Sequence, residues 1–126
     1  MALILIVEDH AEIRRLIRWT LEPEGHQLHE ARNAAEGWRL ALQLRPALIV
    51  LDVMLPGGED GYALCHRLKR DAELGAIPVV LLTSLDGQGD RRNGEKAGAD
   101  EHLGKPFVPL ELVEVVERWV AALDRG

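Results

Sequence analysis

The chain alternates short apolar runs with longer amphipathic stretches, and it does so five times. Most of the short runs are rich in valine, isoleucine and leucine, which is typical of β-strands covered on both faces. Between them, apolar residues recur at intervals of three and four, the period of a helix with one buried face. This alternation predicts a parallel α/β sheet. The predicted strands cover residues 3–7, 26–31, 47–51, 78–82 and 101–103.

The predicted helices begin and end at recognisable signals. Asn33, with Glu36 three residues later, resembles the capping pair that opens a helix, and Pro46 ends that helix after Leu44. A fourth helix within Asp86–Ala97 is expected to be short or frayed, because each glycine inside a helix costs about 1 kcal/mol. The remaining helices are predicted at residues 11–21, after the loop at 56–61, and at 109–123. The helical period places several leucines on buried faces, among them Leu16, Leu42 and Leu123.

Length and composition predict one globular domain over residues 1–126, with no room for a separate output domain. The net charge of −6 and the lack of a basic tract argue against direct nucleic-acid binding. The longest apolar runs fall far short of the roughly 20 residues that a membrane span needs. A single cysteine, Cys65, excludes an internal disulfide and suits a reducing compartment. We therefore expect a cytoplasmic domain with no membrane or nucleic-acid partner.

Polar residues follow four of the predicted strands. Glu8 and Asp9 follow the first strand, Asp52 the third, Thr83 the fourth and Lys105 the fifth. All strands of a parallel sheet end on one edge, and ligands bind in the crevice outside those carboxyl ends. We therefore expect these five side chains to meet there.

The three carboxylates of this set predict a cation site. At about 5–6 Å and an effective dielectric near 20, each pair of carboxylates costs about 3 kcal/mol, which one lysine offsets only in part. Either a proton is retained or a cation is bound, and carboxylates without histidine or cysteine favour Mg²⁺ over zinc. Mg²⁺, an ammonium group and a threonine hydroxyl suit a phosphoryl group, with a carboxylate as nucleophile. Asp52 is the best candidate, because it stands alone at the end of the central strand.

Five short motifs occur in order along the whole chain: Ile6-Val7-Glu8-Asp9, Leu51-Asp52-Val53-Met54-Leu55-Pro56-Gly57, Leu82-Thr83-Ser84, Gly98-Ala99-Asp100 and Lys105-Pro106-Phe107. Together they resemble the response-regulator receiver domain of two-component signalling, which is CheY-like. The resemblance implies a doubly wound, flavodoxin-like sheet of strand order 2-1-3-4-5 with five helices. It also implies a domain that is no enzyme beyond its own aspartyl phosphorylation and dephosphorylation.

The resemblance assigns the acidic residues to phosphorylation and to metal binding. Asp52 would accept a phosphoryl group from a sensor histidine kinase or a histidine phosphotransfer protein. Mg²⁺ would be held by Glu8, Asp9, a carboxylate oxygen of Asp52 and the backbone carbonyl of Met54.

The resemblance also implies a switch. Lys105 would pair with Asp52 and then with the phosphoryl group, across a cis bond to Pro106, while the Thr83 hydroxyl would move in to the phosphoryl oxygen. The surface of the fourth helix, fifth strand and fifth helix would then change its affinity for a downstream partner, an output domain or a second copy. Three features depart from the family: the loop starting at Pro56 has one extra residue, His102 occupies the position of the switch aromatic, and the glycine-rich stretch after Thr83 predicts a mobile fourth helix.

Two other functions fit the same residues. A Mg²⁺-dependent phosphohydrolase also forms an aspartyl-phosphate, but haloacid-dehalogenase-type phosphatases carry a second aspartate where this chain has Met54. An interaction module that is never phosphorylated is the other alternative. The histidines give no third one, because His26 and His29 face opposite sides of a predicted strand, and His10 and His66 show no ligand spacing.

Overall fold

The computed structural model describes residues 2–84 and 95–125, and within them five parallel strands form one sheet. Their order, β2-β1-β3-β4-β5, is the order that the resemblance implies. The most central strand, β3, is buried at every position, as its continuous apolar sequence predicts. The strands are β1 (Leu3–Val7), β2 (Gln27–Ala31), β3 (Leu48–Asp52), β4 (Val79–Ser84) and β5 (Glu101–Lys105).

Helices connect the strands and cover both faces of the sheet. A short 3-10 turn, Glu22–Glu24, separates the first helix from β2, and residues 95–97 form a helical turn before β5. Most of the predicted fourth helix lies outside the described residues. No helix in the described ranges combines the length and the apolar character needed to cross a membrane. The helices are α1 (Ala11–Leu21), α2 (Ala34–Leu44), α3 (Gly61–Arg70) and the C-terminal helix (Pro109–Arg125).

Alternation along the strands divides the core into two layers. In β1, Ile4 and Ile6 pack with α1 and the C-terminal helix, whereas Leu5 and Val7 pack with α2 and α3. Successive side chains of a strand point to opposite faces, so a strand buried on both sides contributes to both layers. The sheet is therefore doubly wound, and the carboxyl ends of its strands lie along one open edge.

Three leucines that the helical period places inside are exposed, so those predictions were wrong. Leu16, Leu42 and Leu123 expose 41%, 40% and 43% of their surface, whereas Val115 of the C-terminal helix is buried. A helix packed on a sheet buries only a stripe of its surface, and residues at the margin of that stripe remain accessible.

The loop between β3 and α3 is tightly packed at its end. Gly57 and Gly58 adopt φ angles of 90° and 86°. The loop with the extra residue therefore passes through left-handed backbone conformations that glycine adopts without strain. Asp60 then caps α3, accepting the backbone N–H of Ala63 at 2.9 Å. A Cβ on Gly61 would lie 2.1 Å from the backbone oxygen of Asp52, so α3 begins directly against the end of β3.

Candidate functional site

The strand register brings the predicted residues to one edge of the sheet. Asp52 at the end of β3 aligns with Leu82, and Lys105 at the end of β5 aligns with Ser84, next to Thr83. Glu8 follows the last residue of β1 directly and donates its backbone N–H to Ala31 at the end of β2 (3.0 Å). The end of the sheet therefore carries the acidic and basic groups together, although they are nearly a hundred residues apart in sequence.

The two oxygens of the Asp52 carboxylate have different surroundings. The side chain is fully buried. Its Oδ1 lies 2.9 Å from Lys105 Nζ and accepts the backbone N–H of Met54 at 3.2 Å. Its Oδ2 is buried and has no hydrogen-bond partner in the part of the chain that the structure describes. Buried polar atoms are nearly always paired, so an oxygen without a partner is expected to bind a ligand or to take part in a reaction.

Glu8 is the second buried carboxylate of the pocket. Its Oε1 lies 3.1 Å from Lys105 Nζ, and its Oε2 accepts the backbone N–H of His10 at 3.1 Å. Burial, followed by the negative charge of the nearby Asp52 carboxylate, raises the pKa of Glu8, and the opposing effects of His10 and Lys105 are smaller. Lys105 thus serves two carboxylates at once, and the pocket keeps an excess of negative charge.

The remaining predicted metal ligands, Asp9 and Met54, are exposed. Asp9 is exposed and does not belong to the compact group of ligand atoms among the described residues. Met54 is also exposed, at 70%, and contacts Asp52 through its backbone N–H. Pro56 is exposed in the following loop.

The predicted switch residues lie on β4 and β5. Thr83 is buried near the end of β4, with 7% of its surface exposed. His102 is half-buried on β5, and its Nε2 is buried without a hydrogen bond to any described residue. The peptide bond between Lys105 and Pro106 is cis, as the resemblance implies.

His10 comes close to the pocket in the structure, although its position in the sequence shows no ligand spacing. One potential ligand atom each from Glu8, His10 and Asp52 lie within 4.8 Å of one another. His10 is the residue before α1 and makes no side-chain cap to that helix. The only signal in the sequence was its position directly after the acidic pair, and its distance from Asp52 follows from the tertiary structure.

Arg14 holds the backbone of the acidic pair from α1, a contact that the sequence analysis missed. Its Nη1 donates to the backbone oxygens of Glu8 (2.9 Å) and Asp9 (3.3 Å), and its Nε donates to Glu30 on β2 (2.8 Å). Arg18 donates to the other oxygen of Glu30 at 2.7 Å. Although burial opposes it, hydrogen bonding and charge from Arg18 and Arg14 lower the pKa of Glu30. This network fixes the loop that carries Glu8 and Asp9.

The sheet order and the acidic pocket at its carboxyl edge define the class of doubly wound, flavodoxin-like α/β domains. Residues 4–117 match the model of the response regulator receiver domain, so the chain belongs to that family. This confirms the predicted family and fold.

Relatives and solved structures agree with this assignment. The chain is 40% identical over 125 residues to the DNA-binding dual master transcriptional regulator RpaA of Synechocystis sp., covering 99% of this chain and 52% of that protein. The chain spans about half the length of the curated relatives it matches. A receiver domain of a signal transduction histidine kinase from Syntrophus aciditrophicus is similar in structure, with a TM-score of 0.93 and 37% identity, covering 100% of this chain and 95% of that one.

A second solved structure is described with a metal. The receiver domain of a sensor histidine kinase from Pseudomonas aeruginosa has a magnesium ion coordinated in its active-site cleft. It is similar to this chain with a TM-score of 0.87 and 30% identity, covering 95% of this chain and 98% of that one. These comparisons favour the receiver interpretation over the phosphohydrolase and the unphosphorylated module.

Proposed function

We propose that residues 1–126 act as a phospho-accepting receiver in a two-component system or phosphorelay, with Asp52 as the phosphoacceptor. The observation that carries the proposal is the state of the Asp52 carboxylate. One oxygen is held by Lys105 and the Met54 N–H, while the other is buried without a partner among the described residues. A cytoplasmic location belongs to the same proposal and is supported by the single cysteine.

In the proposed reaction, Oδ2 of Asp52 forms a bond to phosphorus. The bond from phosphorus to the donor breaks, and the leaving group, a histidine nitrogen in a protein donor, keeps the electron pair. The Lys105 ammonium, 2.9 Å from Oδ1, stabilises negative charge on the transferred group. The donor is a sensor histidine kinase or a histidine phosphotransfer protein, as family membership supports.

The donor set of the pocket fits Mg²⁺. The free oxygen of Asp52 and the raised pKa of Glu8 both indicate that a positive charge is needed between the two carboxylates. Glu8, Asp9, Asp52 and the backbone carbonyl of Met54 would hold the ion, consistent with the oxygen ligands that Mg²⁺ prefers. When bound, it supplies positive charge to the phosphoryl oxygens. The magnesium described in the Pseudomonas aeruginosa receiver supports this part of the proposal.

The phosphoryl group would act as a switch by adding nearly two negative charges at the sheet edge. Thr83 and Lys105 would bind the phosphorylated state better, and this difference in affinity shifts the population between two conformations. On the surface that is expected to bind partners, Glu101 of β5 accepts hydrogen bonds from Arg118 and from Trp119 (3.1 Å) of the C-terminal helix. A change in β5 near His102 would therefore reach the C-terminal helix, where a downstream protein, an output domain or a second copy would bind.

The proposal is tested by incubating the chain with acetyl phosphate and Mg²⁺ and measuring its intact mass. The wild type should gain the mass of one phosphoryl group, and chelation of Mg²⁺ by EDTA should prevent the gain. Asp52→Asn should gain nothing. Asp100→Asn is the matched control, because Asp100 is also ion-paired, with Lys69 at 2.7 Å, but lies before β5 rather than at the pocket.

Two results would count against the proposal. Labelling of Asp52→Asn at the wild-type level would place the phosphoryl group elsewhere. Repeated turnover of p-nitrophenyl phosphate, without a labelled protein, would favour the phosphohydrolase.

A further inference from the structure

His10 places an imidazole ring beside the acidic pocket. Its backbone N–H donates to Glu8 Oε2, and its Nδ1 lies 3.5 Å from the same oxygen. The ring makes no capping hydrogen bond to α1, and the side chain is 63% exposed. It can therefore turn towards the pocket without breaking a contact that holds the helix.

Two buried carboxylates face this ring. Candidate ligand atoms of Glu8, His10 and Asp52 lie within 4.8 Å of one another. Neighbouring ligands of a tetrahedral zinc ion lie about 3.4 Å apart, because each bond is about 2.1 Å long. His10 Nδ1 lies 3.5 Å from Glu8 Oε2, which is close to that spacing. Independently, the buried Oδ2 of Asp52 has no hydrogen-bond partner among the described residues, which favours a cation at this pocket.

The type of ligand decides which cation such a site prefers. Carboxylate oxygens alone suit Mg²⁺, whereas an imidazole nitrogen suits borderline ions such as zinc, and affinity rises along the first transition series. We propose that Glu8, Asp52 and His10 bind a divalent transition ion, with zinc as the preferred class, more tightly than Mg²⁺. This inference rests on the cation pocket of the proposed function and deepens it, because the transition ion competes with Mg²⁺ for the same two carboxylates.

The test is a calorimetric titration of the full chain with MgCl₂, ZnCl₂ and CoCl₂, together with the visible absorption spectrum of the Co²⁺ complex. His10→Asn removes the imidazole and keeps a side chain that is favourable at the start of a helix, so α1 is preserved. His66→Asn is the matched control, because His66 is exposed on α3 beside Arg70 (3.2 Å) and is absent from the group of ligands among the described residues.

His10→Asn should weaken Zn²⁺ and Co²⁺ binding by roughly tenfold or more, the scale of a disturbed metal site. It should also change the Co²⁺ spectrum through loss of a nitrogen ligand, and should alter Mg²⁺ affinity by no more than about twofold, since carboxylates bind that ion. His66→Asn should change neither. His10→Gln provides the same comparison if the asparagine variant does not fold.

The outcomes separate this inference from the proposed function. Equal Zn²⁺ and Co²⁺ affinity in the wild type and His10→Asn, with Mg²⁺ still bound, would overturn the role of His10 alone. Mg²⁺ binding that is unchanged by Asp52→Asn would instead overturn the cation pocket on which both proposals depend.

Discussion

Asp52 and Glu8 lie in a pocket where two buried carboxylates share the ammonium group of Lys105. Each carboxylate lowers the free-energy cost of burying the charged lysine. Each also raises the free-energy cost of ionising the other carboxylate. The raised pKa of Glu8 shows which effect prevails there, because burial and the charge of Asp52 outweigh the attraction of Lys105. On the proposed function, this arrangement favours binding a cation and accepting a phosphoryl group at the expense of stability.

Asp52→Asn should therefore stabilise the metal-free chain. Removing one of two like charges relieves their repulsion, and we expect the free energy of unfolding to rise by about 1 kcal/mol. Mg²⁺ should stabilise the wild type, since it binds the folded pocket, and should have little effect on the variant. Urea unfolding with EDTA and with Mg²⁺ measures both effects.

Asp100→Asn is the control for that comparison. Asp100 pairs with Lys69 and accepts the backbone N–H of Val79 at 2.8 Å, so its replacement should lower stability and leave the Mg²⁺ effect intact. An Asp52→Asn chain that is less stable than the wild type in EDTA would contradict this account of the pocket.

At the scale of single elements, Glu30 joins β2 to α1 through Arg14 and Arg18. Glu30→Gln should lower the free energy of unfolding by about 1 kcal/mol at neutral pH, a modest value because the pair is partly exposed. The pKa of Glu30 is lowered in the folded chain. Its stabilising effect is therefore complete above the ordinary value of 4.5 and is lost as the pH falls below it, through the folded pKa.

The difference between the wild type and Glu30→Gln should thus shrink as urea unfolding is measured at progressively lower pH. Glu22→Gln is a suitable comparison, because Glu22 contacts Arg18 at 3.5 Å from an exposed position and should change stability little. A difference that stays constant through the acid range would show that the charge of Glu30 is not what stabilises the contact.

Gly61→Ala should disturb the start of α3 and the pocket together. The added Cβ would meet the backbone of Asp52 and Val53, at 2.1 and 2.5 Å, and neither can move without shifting the end of β3. We expect a loss of about 3 kcal/mol in the free energy of unfolding and reduced phosphoryl uptake.

Gly57→Ala tests the same loop without the clash. Gly57 has a φ of 90° and an added Cβ there would meet nothing within 4 Å, so only backbone strain of about 1 kcal/mol is expected. A cost for Gly61→Ala no larger than that for Gly57→Ala, in the same chemical denaturation assay, would be evidence against close packing of α3 on Asp52.

Local signals explain which elements were predictable from sequence. The cap of α2 was predicted and is confirmed, since Asn33 Oδ1 accepts the backbone N–H of Glu36 at 2.8 Å. That cap involves neighbours in sequence, so the residue types are enough to reveal it. Exposure of Leu16 depends instead on where α1 meets the sheet, which the helical period does not specify.

At the scale of the whole molecule, His26 ties together three distant parts of the chain. Its Nδ1 accepts the backbone N–H of Ala2, just before β1, and its Nε2 lies 2.7 Å from Glu117 Oε1 on the C-terminal helix. The side chain is 4% exposed. Loss of Glu117 would therefore leave a buried polar atom unpaired.

Glu117→Ala should lower the free energy of unfolding by about 2 kcal/mol, the cost of such an unpaired group. Glu114→Ala, at an exposed position of the same helix, should change it by less than about 0.5 kcal/mol. Thermal and urea unfolding provide the comparison. Similar values for the two variants would argue that the contact to His26 contributes little.

The convergence of Glu8, Asp52 and Lys105 was predictable because parallel topology brings strand ends to one edge, whatever their separation in sequence. The membership of His10 was not, because it depends on how α1 leaves the sheet. The exposure of Asp9 and the network of Arg14 also depend on side-chain positions that no spacing in the sequence specifies. Topology thus predicts which strand ends meet, and packing decides which neighbours join them.

The central claim is that Asp52 receives the phosphoryl group, and its most direct test is to locate the modified residue. The chain is incubated with Mg²⁺ and acetyl phosphate, reduced with borohydride, which converts an aspartyl-phosphate to homoserine, and mapped by peptide mass spectrometry. The account predicts homoserine at position 52 and unmodified acids at Glu8 and Asp9. Modification at Asp9, or at any position other than 52, would contradict it.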